Sequence, residues 1–274
     1  MTILITGATG AVGRHLVTRL VDQGERVRAT SRKPQQAGLP PEVDVVFADP
    51  PEFGAEVFEG VDRMFVFPFE CGVEQLITAA VAAGVERFVV FSSLAAAGEL
   101  PRDVASVSYA HHRAVEQAVT SRTDNWTILR PGTFANNLLS WAWPIKAGTP
   151  IRAPYVHSAQ PPIHEADIAD AAAVALAEEG HRGLIYPLTG PASLTKTEQV
   201  AAIGAGIGRD LRLVEISPDE FRADVAQFLP ESIIAMLLTY WQETVDVPDP
   251  VRPGTGSRTL EQWARDHRAD FGAA

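Results

Sequence analysis

Apolar positions along the chain follow two periods. Short unbroken runs such as Ile3–Ile5 read as buried strands, whereas Val12, Leu16, Val17, Leu20 and Val21 recur at helical spacing. On this basis strands are predicted over residues 3–5, 26–30, 43–47, 64–67, 88–91 and 126–129, the fourth closed by Pro68. Helices are predicted after Gly13, over 73–83 and over 108–119. Strand alternating with helix over short joins means parallel strands and right-handed crossovers, so the fold class is α/β with a doubly wound parallel sheet. Beyond residue 150 the pattern changes. A helix over 164–177 and a strand over 184–188 continue the alternation, but strands then become sparse. Capping-box spacings at Thr195/Glu198, Ser217/Glu220 and Thr259/Gln262 open helices there. Residues 210–216 read as a last strand, 233–241 as an apolar helix and 247–256 as a proline-rich loop. The expected division is a core over 1–150 and a small lobe over 151–274, with about 164–190 returning to the core.

Composition narrows the class without changing it. At 274 residues and 46% apolar, the chain suits one large domain or a domain with an added lobe. A net charge of −11 argues against nucleic acid or an anionic membrane as partner. The single cysteine, Cys71, rules out an internal disulfide and is expected to be a small buried side chain. With the first strand starting close to Met1 and no apolar run near the roughly 20 residues of a membrane span, a cytoplasmic location is expected. No metal site is expected, and the oligomeric state is open.

Candidate chemistry gathers at the strand ends. Behind the first strand, Gly7, Gly10 and Gly13 stand at three-residue intervals and lead into a helix. That geometry offers backbone N–H groups and a helix N-terminus to a pyrophosphate, so Gly7, Thr9, Gly10, Ala11, Val12 and Gly13 are candidate cofactor contacts. An Asp or Glu about 20 residues further on takes the adenosine ribose in NAD-binding turns. Here that place holds Ser31, Arg32 and Lys33, whose hydroxyl and basic side chains suit the 2′-phosphate of NADP(H), with NAD(H) as the alternative. Asp49 after the third strand can accept from the adenine amino group. Pro68 and Ser92–Ser93 end the next two strands of the alternation, where ligands of such sheets bind. On the helix over 108–119, Tyr109, His112, Val115 and Glu116 share a face. Phe134, Asn136, Asn137, Trp141 and Trp143 form an aromatic and amide-rich stretch of the kind that lines a substrate pocket. Asp167, early in its helix, reads as a dipole-matching acid.

Together TGATGAVG, SRKP, FVVFSS, HHRAVE, TILRPGTFANNLL and HEADIAD resemble the atypical short-chain dehydrogenase/reductases of the NmrA-like group, over nearly the whole chain. The resemblance implies a Rossmann fold, NADP(H) across the strand ends and a C-terminal substrate lobe. It also exposes a departure. The wider superfamily uses Ser, Tyr and Lys, with Tyr-x-x-x-Lys on the helix after the serine strand. The nearest match here is Tyr109-x-x-x-Arg113, and arginine cannot shuttle protons at neutral pH. Aligned on Glu116 instead, His112 takes the lysine position, where the resemblance implies a hydrogen bond to the nicotinamide ribose and, for a group titrating near neutrality, proton relay. The candidate catalytic residues are thus His112, Ser93 and Tyr109, and the triad is not intact.

The expected function is an NADPH-dependent reductase of an aromatic ketone or quinone. A non-catalytic NADP(H) sensor is the alternative, and a sugar-nucleotide epimerase is disfavoured by the basic turn.

Overall fold

The structure is a computed structural model that describes residues 1–252 and 256–273; the part of the proline-rich loop at 253–255 lies outside the described residues. The chain opens as β1 (Thr2–Ile5), α1 (Ala11–Asp22), β2 (Val27–Ser31), β3 (Asp44–Phe47), β4 (Val61–Val66) and α2 (Val73–Ala82). It continues as β5 (Arg87–Phe91), α3 (Pro101–Ala105), α4 (Val107–Thr120) and β6 (Trp126–Pro131). Next come α5 (Ala142–Ala147), β7 (Ile151–Ala153), β8 (Ala159–Gln160), α6 (Glu165–Ala177) and β9 (Leu184–Leu188). The remainder is β10 (Leu194–Thr195), α7 (Lys196–Ile207), β11 (Leu213–Glu215), α8 (Pro218–Val225), α9 (Glu231–Asp246) and α10 (Leu260–Asp266).

Two compact units result. The first holds Met1–Pro131 and Glu165–Leu188, the second Gly132–His164 and Thr189–Ala274. The first unit therefore closes at Pro131, where β6 ends, and not near residue 150. It is built on a parallel seven-stranded sheet in the order β3-β2-β1-β4-β5-β6-β9, the doubly wound Rossmann arrangement. All four residues of β1 are buried, as a central parallel strand demands. Helix α1 turns Gly13, Leu16, Val17 and Leu20 inward and packs along α6. Between α2, α4 and the sheet lies a core that includes Met64, Leu76, Ile77, Phe88 and Val119.

The second unit has its own core around Trp263, Phe271, Ile203 and Ile145. All three expected capping boxes form, at Thr195/Glu198, Ser217/Glu220 and Thr259/Gln262, and open α7, α8 and α10. Here Lys196 is buried, its Nζ donating to the Pro154 carbonyl at 2.6 Å and standing 3.6 Å from the centre of the Trp241 ring. Burial pushes its amine down to about 7. The residue 210–216 strand shortens to β11, and the helix expected over 233–241 extends through the whole of α9. No helix among the described residues is long and apolar enough to cross a membrane.

Candidate active site

A cleft of about 880 Å³ opens along the carboxyl ends of the first unit's strands. Gly7, Thr9 and Gly10 line it after β1; Thr30, Ser31 and Arg32 at the end of β2; Ala48, Asp49 and Pro50 after β3. Phe67, Pro68 and Phe69 follow β4, and Val107, Ser108, His111 and His112 come from α4. Eight of the predicted cofactor residues thus meet in one concavity: Gly7, Thr9, Gly10, Ser31, Arg32, Asp49, Pro68 and His112.

The turn at its head tolerates little besides glycine. Gly7 adopts φ +67°, and a Cβ there would meet the Phe67 ring at 2.6 Å. At Gly13 a Cβ would come within 2.2 Å of the Gly7 carbonyl oxygen. The turn itself closes by Gly10 N–H donating to that same oxygen at 3.0 Å. Thr6 ties it to the neighbouring strand, its hydroxyl donating to the Phe65 carbonyl at 2.8 Å and accepting from Phe67 N–H at 2.8 Å. Helix α1 then starts with Gly10 as its cap, no side-chain capping bond and no acid in its first turn, where Ala11 and Val12 lie. An uncapped N-terminus over a glycine cradle is a fitting seat for a pyrophosphate.

Along the β2 wall, Ser31 organises the basic turn by accepting from Lys33 N–H at 3.0 Å. Arg32 is exposed, lines the cleft and makes no ion pair with a carboxylate among the described residues. Lys33 lies on the same turn but does not line the cleft. The residues present therefore fit a dinucleotide, with a cation available beside its adenosine end.

The α4 side is built differently. His111 donates from Nε2 to the Pro68 carbonyl at 3.1 Å. His112 is half-buried, and its Nδ1, shielded from solvent, has no hydrogen-bond partner. Burial, reinforced by the neighbouring His111, lowers its pKa to about 4 against a small opposing pull from Glu116. The imidazole is neutral at pH 7, so the expectation of an acid titrating near neutrality does not hold: burial has moved the group out of that range.

Glu116 is the largest departure from a reading of α4 as a simple surface helix. It is buried and accepts two bonds from Arg130, at 2.8 Å each, one from Arg113 at 3.0 Å and one from the Ser92 hydroxyl at 2.6 Å. Burial alone would raise its carboxyl; the Arg130 fork and the Ser92 hydroxyl outweigh that, with Arg113 assisting, and hold it below the ordinary carboxylate value. Ser92, expected at the cofactor, is instead buried with its proton committed to Glu116. Ser93 caps the short turn Leu94–Ala97, its Oγ accepting from Ala95 N–H at 3.3 Å. Tyr109 packs its ring over Gly98, and neither it nor Ser93 lines the cleft.

The expected substrate patch belongs to the second unit and is only partly open. Asn136 spends its amide oxygen on Trp263 Nε1 at 3.1 Å, and Trp141 packs onto that unit's core. Phe134 bridges to Ile163, Asn137 is exposed, and Trp143 is 75% exposed. Asp167 lies in the first turn of α6 beside Glu165, as a dipole-matching acid would. Cys71 is exposed, not buried, because it falls in the loop after β4 instead of on a strand or an inward helix face.

Phe67, Thr6, Arg130 and the role of Glu116 escaped sequence reading. The RPG signal marked Arg130's place, but nothing local marked its partner 14 residues away.

Residues 7–179 match the model of a family described as NAD(P)H-binding. The chain is 34% identical to the (4-alkanoyl-5-oxo-2,5-dihydrofuran-3-yl)methyl phosphate reductase of Streptomyces griseus subsp. griseus, over 98% of this chain and 99% of that one. It is 32% identical to the NAD(P)H azoreductase of Xenophilus azovorans, over 99% of this chain and all of the relative. Among solved structures, the NADPH-dependent quinone oxidoreductase of Escherichia coli complexed with NADPH superposes with a TM-score of 0.77 at 22% identity, covering 96% of this chain and 99% of that one; at that identity the likeness is one of fold.

Proposed function

The chain belongs to the NAD(P)H-binding family of atypical short-chain dehydrogenase/reductases, and we propose that it is an NADPH-dependent reductase of a quinone or another conjugated carbonyl compound. One observation carries the reading: a single cleft joins the glycine turn, the unpaired Arg32 and the neutral His112. A bound nicotinamide cofactor would supply the hydride.

The protein's own part is to bind and orient. The glycine turn and the open end of α1 would receive the pyrophosphate, and Arg32 the 2′-phosphate. His112, which lines the cleft from α4, would hydrogen-bond the ribose of the nicotinamide half. No strong acid is offered on this side of the cleft: His112 is neutral, and the Ser92 hydroxyl donates its hydrogen bond to Glu116. A conjugated acceptor suits such a site because negative charge developing after hydride addition spreads over the π system and needs less help from a protein acid. The two relatives point the same way. One is named for an oxo-dihydrofuran that also carries an alkanoyl group, the other for an azo group.

The test is NADPH oxidation followed by absorbance against benzoquinones, naphthoquinones, conjugated enones and simple unconjugated ketones. Turnover of the first three classes well above the fourth is expected. Tight NADPH binding with every acceptor inert would instead mark a protein that only senses the cofactor.

A further inference from the structure

Arg14, on the first turn of α1, is exposed and does not line the cleft, yet three of the five N–H groups of its guanidinium donate to backbone carbonyls. Nε donates to the Thr9 carbonyl at 3.0 Å, Nη1 to Gly38 at 2.9 Å and Nη2 to Ala37 at 2.9 Å. These acceptors belong to two different walls. Thr9 is part of the glycine turn; Ala37 and Gly38 end the segment that carries Arg32. The rest of that segment is tied hand over hand. Ser31 Oγ accepts from Lys33 N–H, the Lys33 carbonyl from Gln36 N–H at 3.0 Å, and the Pro34 carbonyl from Ala37 N–H at 3.2 Å. All three acceptors of Arg14 are neutral carbonyls, so its positive charge is not cancelled by a carboxylate.

We propose that Arg14 is a positioning residue for cofactor selection: it clamps the Arg32 turn to the glycine turn and so sets the spacing between the pyrophosphate seat and the 2′-phosphate seat. The inference rests on the NADPH reading above. A planar fork is required because three carbonyls from two segments must be met at once, which an ammonium on a single stem cannot do. A clamp that served only to hold the fold would affect both cofactors alike. One that sets this spacing acts on the phosphorylated cofactor.

The test is calorimetric titration of the full chain with adenosine 2′,5′-bisphosphate and with 5′-AMP, which needs no turnover. Wild type is expected to prefer the bisphosphate, and Arg32→Ala to abolish the preference. Arg14→Gln should lower bisphosphate affinity by about ten-fold, in the range of a charge-assisted contact, and 5′-AMP affinity by less than about two-fold. Arg14→Lys, which keeps the charge but not the fork, should fall between them. Equal losses for both ligands with Arg14→Gln, or no loss for either, overturns the proposal while leaving the cofactor reading intact. A wild type without preference, or one unaffected by Arg32→Ala, removes the cofactor reading and this inference together.

Discussion

The glycine-turn end of the cleft and its α4 side solve opposite problems. At the first, cations are left unspent: Arg32 faces the cleft without a carboxylate and Arg14 donates only to carbonyls. At the second, the charges are spent on one another. Glu116 takes up two arginines and the hydrogen bond of the Ser92 hydroxyl, and burial keeps His112 uncharged. The difference teaches where catalysis must come from in this protein. On the proposed function, binding is electrostatic and charge is held ready for it, while the α4 side carries no mobile proton of ordinary acidity, so orientation does most of the work.

The comparison can be broken at its strongest point first. Glu116→Ala leaves the largely covered Arg130, its side chain 12% exposed, without its carboxylate, and the cost of stripping such a charge of its partner, about 3–5 kcal/mol, should appear in urea unfolding. A loss under about 1 kcal/mol would mean that the cluster is more solvated than its burial implies. At the other end, Gly13→Ala drives a Cβ into the Gly7 carbonyl oxygen and should weaken NADPH by about 100-fold in a fluorescence titration, roughly 2.7 kcal/mol. Wild-type affinity would show that the turn can move without losing its ligand. Smaller again, Arg32→Ala should raise the NADPH Kd by about ten-fold and leave NADH within about two-fold. Equal effects would take away the contrast on which the binding end is read.

The subtlest test concerns pH. His112 binds a proton near 4 when folded and near 6.5 when unfolded, so between those values the unfolded chain holds more protons. Stability from this group is complete above about 6.5 and is lost as pH falls toward 4, by about 1–2 kcal/mol once solvent screening of a half-buried ring is allowed for. Between pH 7 and 4.5 the melting temperature of wild type should fall relative to that of His112→Gln. In the same range kcat should show no inflection near 6.5. A bell centred there would restore the acid role to His112.

What was legible in the sequence was whatever backbone geometry demands of residue type. Gly7 and Gly13 announce a turn because no other residue fits, and the absence of an acid at Ser31–Lys33 announces a phosphate because one side chain decides the matter locally. The buried cluster was not legible. Ser92 lies 24 residues before Glu116 and Arg130 14 after it, and the three acquire meaning only when β5, α4 and β6 stand side by side. The same holds for His112, whose proton affinity depends on how deeply its face of α4 is covered. Trp141 and Asn136 misled for a related reason: aromatic and amide residues serve a core as readily as a pocket, and here Trp263 claimed the amide.

The split of the first unit has a consequence for how the protein is made. Helix α1 lies against α6, with Arg19 reaching Asp170 at 3.4 Å, and β9 supplies the last strand of the sheet. Both arrive only after the 132–164 excursion. On the ribosome the glycine turn therefore exists long before the helix that shields its own, and the interval, some 150 residues of synthesis, lasts about 8–30 s. Through that time the apolar face of α1 is half clothed, which makes the nascent N-terminal third, rather than the finished molecule, the stage at which a chaperone would matter.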